Sequence, residues 1–214
     1  VLYDVPSFAS VEVSNKVAVA NVGSASLLTA GWLAAVWIAG VALLLVRILL
    51  GYGVMSNLRR HVRVHSTGYL FNVLQQARCA LPVNAYINVV SVATSDIIRS
   101  PVVMGIFRPL IVLPADLLGK LRADELELVL MHELAHVRRY DNFTLLLQRL
   151  ITVVLFFHPA VWLCGHLLRR EAEQACDDLV VCSTGRSEEY ARGLTNVAEL
   201  AQLRNPLIRR IPIM

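Results

Sequence analysis

The sequence predicts an α+β membrane protein that is mainly α-helical, with one N-terminal transmembrane helix, a small β-sheet and a core helix carrying a His-Glu-x-x-His string. Three observations carry this. No charged residue occurs between Lys16 and Arg47, short β-branched runs punctuate residues 86 to 114, and His132-Glu133-Leu134-Ala135-His136 lies in a stretch with helical periodicity. Composition agrees. Of 214 residues, 56% are hydrophobic and 17% charged, with a mean hydropathy of +0.58, which is too apolar for an ordinary soluble enzyme.

Taken in order, residues 1–24 form an extracytoplasmic segment and 25–50 the transmembrane helix. Its apolar run, Ala25 to Val46 with Trp32 and Trp37, would be about 33 Å long as helix, enough for a hydrocarbon core of about 30 Å. A signal peptide does not fit, because the run is too long, no basic region opens the chain and the basic cluster follows the run. Arg47, Arg59, Arg60 and Arg63 come after it and Lys16 alone before it. The chain is therefore expected in the cell inner (cytoplasmic) membrane, N-terminus outside and the remainder in the cytoplasm. A net charge of +4 and a pI near 9.1 suit the lipid bilayer with its anionic inner leaflet. Nucleic acid is not an expected partner, since the arginines follow membrane boundaries and are not interleaved with aromatics; Arg138 and Arg139 extend the same pattern.

Residues 51–85 read as a basic juxtamembrane and helical linker, helical over 66–80 through Leu70, Val73, Leu74 and Ala77, with His61 and His65 solvated among the basic residues. The runs Tyr86–Val92, Val102–Met104 and Leu110–Leu113 predict a small sheet. An edge strand of it could bind an extended peptide by backbone pairing. A helix then starts at Asp124, with Glu127 three residues on, and buries a stripe of Leu126, Val129, Leu130, Leu134 and Val137.

Leu150 to Leu168 lacks Asp, Glu, Lys and Arg, and Pro159 divides it into two helices, one from about Asn142 to Phe157 and one from Pro159 through Glu173. A membrane-embedded hairpin over 142–168 follows, either a shallow one that carries Arg149 toward protein or headgroups or a pair that spans the bilayer. Either returns the chain toward the His pair. The tail 201–214 and the start at Val1 suggest a piece of a longer protein, with a domain at 86–200 as its centre.

That domain carries the chemistry. His132 and His136, four apart on a helix, share one face and can converge on one ion, which makes this helix the core of a zinc site; imidazole nitrogens suit zinc. Glu133 stands beside them as the general base. A third ligand is needed, and Glu173 is the preferred candidate, with Glu171 as its competitor on another face. Asp177, four residues after Glu173, is placed to orient a ligand histidine through its free ring N–H. Cys79, Cys164, Cys176 and Cys182 show no C-x-x-C spacing and read as reduced, packed thiols; His158 and His166 read as structural. Tyr190 or Arg186 could donate to an oxyanion.

The run Ser100 to Pro114, then His132 to His136, then His158-Pro159-Ala160-Val161-Trp162, then Glu173-Gln174-Ala175-Cys176-Asp177 resembles the integral-membrane gluzincin peptidase domain of the beta-lactam sensor-transducer (BlaR/MecR-type) metalloprotease family. The match in order and spacing covers 100 to 180. The resemblance implies His132, His136 and Glu173 as zinc ligands and Glu133 as catalyst. It implies a zinc metalloendopeptidase in signal transduction, acting on a cytoplasmic regulatory protein or on its own chain. No sensor domain is visible, so the beta-lactam part does not carry over. A noncatalytic peptidase-like scaffold, partnered by other membrane subunits, is the alternative, and zinc content separates the two.

Overall fold

A computed structural model describes residues 8–65, 68–81 and 85–203, and the chain divides into two compact units that part between Leu49 and Leu50. Helix α1 (Phe8–Arg60) runs through that boundary. Its stretch Thr29–Arg60 has a mean hydropathy of 2.5 over its most apolar window, none of it buried, and is long and apolar enough to cross a membrane. Of the expected tail, the part beyond Leu203 lies outside the described residues.

The second unit is mainly helical with one small mixed sheet. Strand β1 (Arg63–His65) is followed by α2 (Tyr69–Ala80), β2 (Ser91–Ser95), β3 (Val102–Met104) and β4 (Leu110–Pro114). The order in the sheet is β1-β2-β4-β3, with β2 and β4 parallel, β1 antiparallel to β2 and β3 antiparallel to β4, so β3 is an edge. Helices α3 (Ala123–Arg138), α4 (Asp141–Val154), α5 (Pro159–Thr184) and α6 (Ser187–Leu203) complete it.

Alternation along the strands explains the layering. Val92, Ile111 and Leu113 face α2 and α3, whose Leu70, Val73, Leu74, Leu126, Leu130 and Leu134 meet them in the main core. Ala93, Met104, Leu110 and Val112 face the other way and pack with Leu58 and Val62. Each fully buried Leu contributes on the order of 2 kcal/mol, so α3, with nine buried residues in its sixteen, is held firmly in rotation as well as position.

Several expectations change. The segment read as a linker supplies β1 and α2, which belong to the sheet and core. Tyr86 to Val89 forms part of a 3-10 turn over Ala85–Val89 and not a strand; the strand begins at Ser91, after Val90 N–H closes on Ile87 O at 3.2 Å. Helix α3 begins at Ala123, one residue before Asp124, because the Glu125 carboxylate accepts the Arg122 N–H at 3.0 Å. His65 is half-buried, with its Nε2 2.9 Å from Thr94 Oγ1 across the β1–β2 pair. Helix α4 ends at Val154, three residues short of Phe157, and the turn to Pro159 is closed by His158 N–H on Leu155 O at 2.9 Å.

Candidate metal centre

Four residues advance about 400° around an α-helix, a little over one turn, so His132 and His136 share a face of α3 whose orientation the leucine core fixes. Helix α5 packs against α3 and brings Glu173 to that face. The three donor atoms form a near-equilateral triangle. Nε2 of His132 lies 3.2 Å from Nε2 of His136, and Oε2 of Glu173 lies 3.5 Å from the first and 3.7 Å from the second. Ligands held tetrahedrally around zinc at about 2.0 to 2.2 Å stand about 3.3 to 3.6 Å apart, so the triangle has the right size. The histidine side chains are 12% and 16% exposed and Glu173 is 63% exposed, which leaves one open side.

The far nitrogen of each ring is held. His136 Nδ1 meets Asp141 Oδ2 at 2.8 Å, and Asp141 is buried. His132 Nδ1 lies 2.6 Å from the Tyr190 hydroxyl and 3.1 Å from Asp177 Oδ1, and Tyr190 donates to Asp177 at 2.6 Å. With each Nδ1–H committed to oxygen, the two Nε2 lone pairs face each other, an arrangement that repels unless a cation lies between them. The proton affinities agree. Burial pulls the His136 imidazolium down, but Asp141 and Cys176 outweigh it and hold the ring up at about 10. Burial, and then His136 itself, push His132 down. The donor set fits a divalent ion.

Glu133 is buried, at 9% exposure, and close enough to His136 and Glu173 for their charges to act on it. Burial pushes its carboxyl up to about 7; His136 opposes the rise and Glu173 adds to it. Cys176 is buried, with Sγ 3.3 Å from His136 Nδ1 and 3.6 Å from Asp141 Oδ2. It lies on the Nδ1 side of the ring, away from the Nε2 triangle, and burial pushes its thiol up, so it stays a neutral S–H. Glu171 is exposed and lies outside the triangle. The hydroxyl proton of Tyr190 is committed to Asp177, and burial followed by Asp177 pushes its pKa well up, so as placed it supports the His132 ring. Arg186 is drawn to Glu127 at 3.2 Å and Glu189 at 3.7 Å.

Asp141 is the residue that the sequence reading missed. Helix α3 stops at Arg138, Tyr140 takes a left-handed conformation at φ 58°, and α4 opens on Asp141, whose carboxylate turns back onto His136. A carboxylate five residues after the second histidine, at a helix break, is the signal that could have found it. Asn142 follows and donates from Nδ2 to Val103 O at 3.4 Å and Gly105 O at 3.1 Å, which ties the start of α4 to the β3 edge. A small cleft beside that edge is lined by Gly105, Ile106, His136, Tyr140, Asn142 and Phe143.

Comparison with known proteins places the site in a wider setting. The family model described as BlaR1 peptidase M56 matches residues 7–211. The chain is 37% identical over 92 residues to the regulatory protein BlaR1 of Bacillus licheniformis, covering 43% of this chain and 15% of that protein. It is 26% identical over 115 residues to the methicillin resistance mecR1 proteins of Staphylococcus aureus and Staphylococcus epidermidis, covering 54% of this chain and 20% of each. The chain thus spans a fifth or less of the length of these curated relatives.

Proposed function

The chain belongs to the BlaR1 peptidase M56 family, and from that premise we propose that it is the zinc metalloendopeptidase unit of a membrane-anchored sensor-transducer. The observation that carries the proposal is the triangle of His132, His136 and Glu173. These three would hold the ion. A zinc ion bound there supplies Lewis acidity to a water and to the substrate carbonyl. Glu133 takes the proton from the attacking water and returns it to the leaving amine. Asp141 keeps the His136 ring in the tautomer that offers Nε2, and Asp177 with Tyr190 does so for His132. An extended substrate lies along the β3 edge, beside His136, where backbone pairing accepts many side chains.

Helix α1 anchors the unit in the inner membrane, with the basic residues Arg59, Arg60 and Arg63 on the cytoplasmic side. The substrate is then a cytoplasmic regulatory protein or the chain itself. The test combines metal analysis with cleavage. Purified protein should hold about one zinc per chain and lose it on His132→Ala, while Glu133→Ala keeps the zinc and cuts peptide hydrolysis by about 10²- to 10⁴-fold. Folded protein that takes up no zinc at neutral pH would leave the scaffold reading. The Glu133→Ala protein, used as a trap, identifies the substrate.

A further inference from the structure

The hairpin of α4 and α5 exposes large apolar side chains along both helices. Gln148 turns inward: its Nε2 donates to Thr152 Oγ1 on the same helix at 2.8 Å and across to Val161 O of α5 at 3.2 Å. The exposed side chains include Phe143 and Val154 on α4, and Trp162, Leu163 and Leu167 on α5. An apolar groove of about 510 Å³ runs between the helices, lined by Leu147, Ile151, Leu155, Val161, Cys164 and Leu168.

The tip tells most. Phe157 and Trp162 are 63% and 54% exposed, and several polar groups of the turn are bonded within it. His158 N–H bonds Leu155 O at 2.9 Å, Ala160 N–H bonds the His158 ring at 3.2 Å, Trp162 Nε1 donates to Phe156 O at 2.9 Å, and residue 159 is a proline with no N–H. Such internal bonds lower the cost of carrying the turn into hydrocarbon. The open end carries the opposite chemistry. Arg138 and Arg139 precede α4, and Arg169 and Arg170 follow the apolar part of α5, so two arginine pairs flank the base at the level where anionic headgroups would lie.

We propose that the α4–α5 hairpin is a re-entrant membrane anchor that enters one leaflet tip first and does not cross. Length decides between entering and crossing. Helix α4, at fourteen residues, is about 21 Å long, and Pro159 to Leu168 about 15 Å, against about 30 Å of hydrocarbon. The tip therefore stops near the bilayer midplane, and Arg149, the one charge on these faces, lies partway along α4 and reaches back to the headgroups. Glu173 follows Arg170 by less than one turn. On the peptidase reading above, the scissile bond is then cut at the membrane surface, and the substrate class is narrowed to segments that lie against the inner leaflet.

The test is depth-dependent quenching of tryptophan by brominated lipids. The full chain is reconstituted in phosphatidylcholine and phosphatidylglycerol vesicles with bromines near the headgroup or deep in the acyl chains. In the Trp32→Phe, Trp37→Phe protein, Trp162 is the sole tryptophan and reports the hairpin; in Trp162→Phe, the remaining two report α1. We expect Trp162 to lose more than half of its emission to deep bromines and less to shallow ones. Strongest quenching by shallow bromines means a hairpin that lies flat or crosses fully, and no quenching means one in water or against protein; each overturns the proposal. Unquenched Trp32 and Trp37 would instead defeat the membrane reading of α1, and no arm of the experiment depends on zinc or cleavage.

Discussion

His136 faces its two triangle partners at Nε2 and is held by Asp141 at Nδ1. The carboxylate fixes both the tautomer and the ring plane, so Asp141→Ala should weaken zinc binding by about 10- to 100-fold while leaving the fold intact, as competition with a fluorescent chelator would measure. An unchanged affinity would show that Cys176 and packing suffice to orient the ring. The meeting of the two histidines was legible in the sequence because helical spacing alone puts 132 beside 136, whereas Glu173 with Asp177 four residues on gained weight only beside the His-Glu-x-x-His string. Asp141 was not legible. It reaches His136 through the left-handed turn at Tyr140, a conformation uncommon for a non-glycine residue and invisible to periodicity.

At the scale of elements, the hairpin depends on Gly165. A Cβ there would collide with the Gln148 amide that bonds Thr152 and the Val161 carbonyl, so the glycine is the socket for a polar bridge between the helices. Gly165→Val should therefore cost about 1 to 3 kcal/mol by overpacking, read as a lower midpoint in thermal unfolding, and Gln148→Ala in the same chain should restore part of it. Failure of the second change to compensate would mean that the strain falls elsewhere. Helices α3 to α5 were readable because apolar periodicity and Pro159 mark them directly. Two sheet features were less so. β1 is three residues long and reads as a basic cluster, since Arg63 and His65 flank a single valine, and its strand character comes only from pairing with β2. Tyr86 to Val89 has strand-forming residues but coils into a 3-10 turn, where tertiary packing of Ile87 into the core outweighs local preference.

Across the whole molecule, the second unit joins its sheet, its core and its candidate site through α3, which contacts α2, α4, α5 and α6. Disturbance at the site should therefore be felt selectively. On removal of zinc with a chelator, we expect peptide hydrolysis to vanish and amide hydrogen exchange to rise across α4 and α5, with α2 and the sheet protected as before. Exchange that rises evenly over the unit would mean that the ion holds the entire fold.

Such selectivity has a topological root, since His136 and Glu173 stand at the two mouths of one long loop that contains the full hairpin. When both grip the same ion, the loop is stapled shut. By the cross-link estimate, a closure of this size is worth on the order of 3 to 4 kcal/mol of chain entropy. A catalytic metal would thus double as a fastener, and a pull on the hairpin from the lipid side would be felt as a change in how tightly the ion is kept.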